Sequence, residues 1–134
     1  MQPVRTPSSV APDGQVHPLP LREAYPAELR RVEALVGQQR ELGREIVVVM
    51  GMGFVGLVMA AIVADAEDDQ GRPRYFVIGL QRPSARSYWK VPMINQGVCP
   101  LASEDPEVPE IVRRTASVKG TFTASYNEEV LSLA

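Results

Sequence analysis

The longest apolar run lies mid-chain, at residues 46–66, and reads IVVVMGMGFVGLVMAAIVADA. Ile46, Val47, Val48, Val49 and Met50 are mostly β-branched and show no polar alternation, the pattern of a strand buried on both faces. Gly51-Met52-Gly53-Phe54-Val55-Gly56 follows at once. The stretch from Phe54 has the length and composition of a buried helix. Within it Val55, Val58, Met59, Ile62 and Val63 recur at helical spacing and are expected to cover the sheet, with Ala60, Ala61 and Ala64 permitting close packing. Polar residues 65–71 (DAEDDQG) end the helix at a glycine and read as a solvated helix end. Residues 74–80 (RYFVIGL) form a second strand pattern. Strand, helix and strand in this order predict a βαβ unit with a right-handed crossover and a parallel sheet.

The flanking patterns are weaker. Residues 26–42 predict a helix: Pro26 suits a first turn, Leu29, Val32, Leu35 and Val36 share a stripe, and Gly43 is a stop signal. Such a helix docks on the sheet or on another subunit. Six of the twelve prolines fall within residues 1–26, so residues 1–25 are expected to be a disordered proline-rich tail. Residues 82–101 read as loop-rich. Tyr88 and Trp89 there either flank an adenine or anchor the loop, and anchoring is the expectation. Ser103 is expected to cap a short acidic helix whose Ile111 and Val112 face inward. Residues 118–126 predict an extended segment with Gly120 in a turn, and residues 128–134 a helix or turn.

The fold class is therefore α/β, a Rossmann-like parallel sheet with an extra N-terminal helix. Residues 1–25 form the tail, 26–43 the helix, and 44–134 a partial dinucleotide-binding domain. That domain is incomplete, with about half the strands of a full dinucleotide-binding sheet. An open edge is expected after the last strand, which invites pairing with a second copy or a partner chain.

Composition narrows the class. The chain has 134 residues and a net charge of −2, with no basic excess to attract nucleic acid or an anionic membrane. No run convincingly supplies the roughly 18 apolar residues of a membrane span, because the best candidate contains the turn glycines. The N-terminus lacks an apolar signal-peptide core. A single cysteine, Cys99, excludes an intrachain disulfide, and together these features predict a cytoplasmic protein. His17 has no second ligand type nearby, so no metal site is expected.

The candidate chemistry sits at the glycine turn. Gly51 lets the chain turn out of the strand, Gly53 lets a pyrophosphate approach the backbone, and Gly56 lets the helix pack on the strand. The N–H groups and dipole of the helix start favour phosphate. The candidate cofactor-binding residues are thus Gly51, Gly53, Phe54, Val55 and Gly56, acting through the backbone. Similar turns serve FAD and S-adenosylmethionine proteins. The end of the second strand normally carries an acidic residue for the ribose hydroxyls. Here Gln81 stands there, able to hydrogen-bond a diol without charge. Arg82, Ser84 and Arg86 follow; they either bind a 2′-phosphate or are solvated loop charges. The sequence permits NADP as well as NAD.

From residue 45 the order of features resembles the N-terminal NAD-binding domain of the UDP-glucose/GDP-mannose dehydrogenase family. The carrying residues are VVVMGMGFVGL (47–57), VIGL (77–80), Ile94-Asn95-Gln96-Gly97 with Pro100, Glu104-Asp105-Pro106, and Thr123-Ala124-Ser125-Tyr126-Asn127 with Val130-Leu131. The resemblance implies an NAD-dependent oxidoreductase of polysaccharide biosynthesis that oxidises the C6 alcohol of a nucleotide sugar to a carboxylate through a catalytic cysteine. It covers only the first part of that family's first domain, and its catalytic residues lie beyond the region covered. Cys99 does not match the catalytic position, so no catalytic residue is assigned. A nucleotide sugar would bind only in a complete enzyme. Gln81 departs from the family's Asp, and Arg86 stands where many members place a basic residue.

Overall fold

The computed structural model describes residues 7–134. Its centre is a three-stranded parallel sheet of β3 (Glu45–Met50), β4 (Tyr75–Leu80) and β5 (Phe122–Ser125), in that spatial order. It is preceded by a hairpin of β1 (Ser8–Val10) and β2 (Val16–Pro18) and by α1 (Tyr25–Glu41). α2 (Phe54–Asp65) links β3 to β4. α3 (Lys90–Asn95), α4 (Glu107–Arg113) and a π-helical turn (Arg114–Lys119) link β4 to β5, and a 3-10 turn follows at Glu128–Leu133. This is the mixed α/β, Rossmann-like architecture expected. No helix among the described residues is long and apolar enough to cross a membrane.

The sheet separates two apolar clusters. On one face Val32 and Val36 of α1 pack with Phe76, Ile78, Leu80 and Val130. On the other Leu57, Ala60, Ala61 and Ala64 of α2 pack with Val77, Phe122, Ala124 and Val112. The alternation of Phe76, Val77, Ile78 between the two clusters is the two-residue period of a strand buried on both faces.

The fold departs from five expectations. Residues 7–25 are not disordered; the prediction for residues 1–6 lies outside the described residues. Ala11-Pro12-Asp13-Gly14 turns the chain: Gly14 N–H donates to the Ala11 carbonyl (2.9 Å) and Gln15 N–H to Asp13 Oδ1 (3.0 Å). Ser9 is buried and accepts the Trp89 N–H (3.1 Å), which holds the hairpin on the domain. Second, α2 is rotated from the expected face, and of the residues expected to cover the sheet only Val63 packs against the core cluster. Val55 (74%), Met59 (55%) and Ile62 (55%) are exposed, while Leu57 and the alanines cover the sheet. α2 is apolar all round, so spacing could not orient it; the small alanines permit the closest approach to β4. Third, residues 82–101 contain α3. Fourth, Ser103 does not cap α4. Pro106 occupies that position, Ser103 Oγ accepts the Asp105 N–H (3.2 Å), and Asp105 Oδ1 accepts the Glu107 N–H (2.9 Å). The predicted extended segment is also shorter, since residues 114–119 are helical and Gly120 turns the chain with φ 67° into β5.

The C-terminus of α2 is tied to the π-helical turn by Asp65. Its carboxylate accepts two hydrogen bonds from Arg114 (2.9 and 2.8 Å) and pairs with Lys119 Nζ (2.9 Å). The Arg114 guanidinium, aided by Lys119, holds the Asp65 carboxyl down at about 2.

Candidate functional site

The carboxyl ends of the parallel strands carry the site, as the dinucleotide rule for open α/β sheets demands. β3 ends at Met50 and Gly51 turns the chain with φ 85°, a conformation other residues adopt only under strain. Its N–H donates to the Leu80 carbonyl (2.7 Å), so the turn starts on the end of β4. Met52 does not face solvent. It is fully buried, with its thioether against Gly79. This side chain plugs the turn into the core, and a Cβ at position 79 would collide with it.

α2 begins at Phe54 with Gly53 as its N-cap, and no side chain caps it. The first N–H groups of a helix have no acceptor inside the helix. Here they open beside Gly53, where an added Cβ would meet nothing within 4 Å. Gly56 has the opposite surroundings: a Cβ there would run into the Gly51 carbonyl oxygen. One glycine thus leaves room for a ligand and the other lets helix and turn touch. A pyrophosphate fits this cradle by charge, by donor supply and by space.

Gln81 lies across the turn, joining it to the next loop. Its Oε1 accepts the Met52 N–H (2.9 Å) and its Nε2 donates to Ser87 Oγ (3.1 Å). One carbonyl lone pair and one amide hydrogen remain for a ribose hydroxyl. Ser87 also shares a hydrogen bond with Ser84 (2.7 Å). A cleft of about 300 Å³ opens between these elements, lined by Met50, Gly51, Leu80, Gln81, Arg82 and Glu128. Arg82 faces Glu128 at 3.6 Å, and both side chains are well exposed. Arg86 is exposed in the same loop, and its carbonyl accepts the Trp89 indole N–H (2.9 Å).

The aromatic residues hold this loop in place. Trp89 is almost fully buried, and Tyr88 meets Tyr126 edge to face at 5.8 Å. Tyr126 in turn meets Tyr25 at 5.0 Å. Burial, with help from the Glu28 charge, pushes the Tyr126 phenol up to about 12. These rings are packing groups, and the loop-anchor expectation for Trp89 matches its place.

Two contacts escaped sequence reasoning. The Met52 plug sits at an unspecified position of the glycine pattern, where only the alternation of β4 at Gly79 hints at a missing volume. Glu128 enters the cleft from the final turn, a placement no local pattern signals. Among the described residues no group of three metal-ligating side chains converges. Cys99 is half-buried and its thiol donates to the Leu101 carbonyl (3.3 Å).

No protein-family model and no curated protein matches the sequence. The structure is similar to the crystal structure of an NDP-N-acetyl-D-galactosaminuronic acid dehydrogenase from Methanosarcina mazei Go1. The match has a TM-score of 0.54 and 31% identity, and covers 71% of this chain and 18% of that one. The chain therefore spans under a fifth of that protein's length. The matched region is Rossmann-like α/β, as in part of that dehydrogenase.

Proposed function

We propose that this chain is the NAD(P)-binding N-terminal portion of a nucleotide-sugar 6-dehydrogenase. The observation that carries the reading is the cradle at Gly51, Gly53 and Gly56, with the unpaired N–H groups of α2 at the carboxyl ends of parallel strands. The similarity to an NDP-sugar uronic acid dehydrogenase supports the substrate class. The backbone of Gly51, Gly53, Phe54, Val55 and Gly56 holds the pyrophosphate. Gln81 orders the turn and offers its remaining donor and acceptor to the adenosine ribose. Arg82, which faces Glu128 in the cleft, and Arg86 receive charge beyond that ribose.

The cofactor supplies hydride transfer when bound. This chain's own groups bind and orient it, and the oxidation of a UDP- or GDP-sugar alcohol belongs to the assembly in which the chain takes part. Gln81 brings no carboxylate to repel a 2′-phosphate, so both NAD and NADP are accommodated. Glu128 opposes phosphate in the cleft and is the residue that tilts the balance toward NAD.

Titration calorimetry of the chain with NAD and NADP tests the reading. Binding of a dinucleotide is expected, and Gly53→Val, which fills the open side of the cradle, should abolish it. Absence of heat with both dinucleotides, or binding that survives Gly53→Val, would contradict it. A second reading, a non-catalytic nucleotide-binding or assembly module, is favoured by the open edge of β3.

A further inference from the structure

The loop that follows β4 is held by a segment remote in sequence. Of residues 81–90 only Trp89 is buried. Its main-chain N–H donates to Ser9 Oγ (3.1 Å) on β1, 80 positions away. No carbonyl among the described residues takes that N–H. Ser9 and Ala11 are the only buried residues between positions 7 and 20. The hairpin therefore rests on the domain through a small contact, and this hydrogen bond is its directional part. Contacts with so little buried surface open locally, without global unfolding.

The same loop carries the far end of the cradle. Trp89 Nε1–H donates to the Arg86 carbonyl (2.9 Å), Tyr88 N–H to the Ser84 carbonyl (2.9 Å) and Lys90 N–H to the Ser87 carbonyl (3.1 Å). Residues 84–90 thus form one hydrogen-bonded unit. From it Ser87 Oγ accepts Gln81 Nε2–H (3.1 Å), and Gln81 Oε1 accepts the Met52 N–H (2.9 Å). A continuous path of bonded groups runs from Ser9, through Trp89, Ser87 and Gln81, to the glycine turn.

On the dinucleotide reading proposed above, we infer that the N-terminal hairpin braces the cofactor site and that Ser9 is a positioning residue for the adenosine half of the dinucleotide. The docked hairpin fixes Trp89, and Trp89 fixes the turn at residues 84–88. That turn presents Ser87 to Gln81 and carries Arg86. When the hairpin lifts, the Trp89 N–H loses its acceptor and the turn samples other arrangements. The fraction of chains with Gln81 held across the glycine turn then falls, and the apparent dissociation constant rises by the inverse of that fraction. The coupling is reciprocal: a bound dinucleotide holds the hairpin down by the same factor.

Titration calorimetry of the intact chain with NAD tests this. Ser9→Ala removes the acceptor of a buried N–H and should weaken NAD about fivefold, with the far-ultraviolet circular dichroism unchanged. Ser87→Ala breaks the next link and should weaken NAD to a similar degree. Because both lie on one path, the double variant should lose little more than either single one. Hydrogen exchange of the wild-type chain needs no variant. Saturating NAD should slow exchange of the Trp89 N–H by the factor that Ser9→Ala loses. It should leave the Gly71 N–H, bonded to the Asp68 carbonyl between α2 and the start of β4, at its own rate. Equal NAD affinity of wild type and Ser9→Ala, a double-variant loss equal to the product of the single losses, or Trp89 exchange unmoved by NAD would overturn the inference while the cofactor site stands. A wild-type chain that binds no dinucleotide would overturn the cofactor reading and the brace with it.

Discussion

At β5 the outward groups of Ala124 are taken up by side chains, while at β3 the equivalent groups of Val48 face open space. Asn95 donates from Nδ2 to the Ala124 carbonyl (3.0 Å) and accepts the Ala124 N–H at Oδ1 (2.8 Å). Arg31 of α1 adds a hydrogen bond to the same carbonyl (3.0 Å) and another to Thr123 Oγ1 (3.0 Å). Glu28 orients that arginine through a bidentate pair (2.7 and 3.0 Å) and accepts from Ser125 Oγ (2.6 Å). An asparagine amide thus mimics a neighbouring strand. The β5 edge is thus closed by α3, whose Asn95 supplies the hydrogen bonds of a neighbouring strand, while the outward groups of β3 have no such cover among the described residues.

The comparison can be broken from either side. The largest effect is expected at the β3 side, where Gly56→Ala forces a methyl group into the Gly51 carbonyl. A loss of about 3 kcal/mol is expected from such overpacking, together with loss of dinucleotide binding; urea denaturation and calorimetry measure the two. At the β5 side Asn95→Leu leaves the Ala124 N–H without its acceptor. The cost is about 2 kcal/mol for a buried unsatisfied donor, read as a lower urea midpoint, and the unmasked edge should raise the rate of aggregation. Arg31→Met should cost less, about 1 kcal/mol, because Asn95 still serves the same carbonyl.

The smallest effect concerns Asp65, which fixes α2 to the elements on the β5 side. The Arg114 guanidinium and Lys119 hold its folded carboxyl at about 2, below the ordinary carboxylate range. A depressed carboxylate contributes stability above its unfolded value and loses it as pH falls through the folded one. Stability should therefore fall between about pH 4 and pH 2, and Asp65→Asn should flatten that fall while lowering neutral-pH stability by about 1 kcal/mol. Chemical denaturation across pH measures both.

The pattern of residues made β3, β4, α1 and the glycine turn legible, because each combines a strong period with a clear stop signal. It placed an edge at the last strand, and β5 is an edge of the sheet, but one where Asn95 and Arg31 take up the outward groups of Ala124. The residue that closes β5, Asn95, lies in the Ile94-Asn95-Gln96-Gly97 segment, and its partner is 29 positions away. Such a long-range amide contact leaves no local period. The exposed face of α2 was illegible for a different reason: an all-apolar helix carries no polar face to orient it. The N-terminal hairpin was masked by its prolines, although Pro12-Asp13-Gly14 between Val10 and Val16 is a turn signal with a mechanism. At the candidate site the glycines and Gln81 could be named from sequence, but the engagement of Gln81 with the Met52 N–H required the fold.

The central claim is that a dinucleotide lies on the turn between β3 and α2. Amide nitrogen–proton correlation spectra of the labelled chain, recorded with increasing NAD, test it most directly. The account predicts that shifts concentrate at residues 51–57 and 81–86, while α4 and the Asn95–Ala124 contact stay still. Unchanged amides at Gly51, Gly53 and Gly56, or shifts centred on the β5 side, would contradict it.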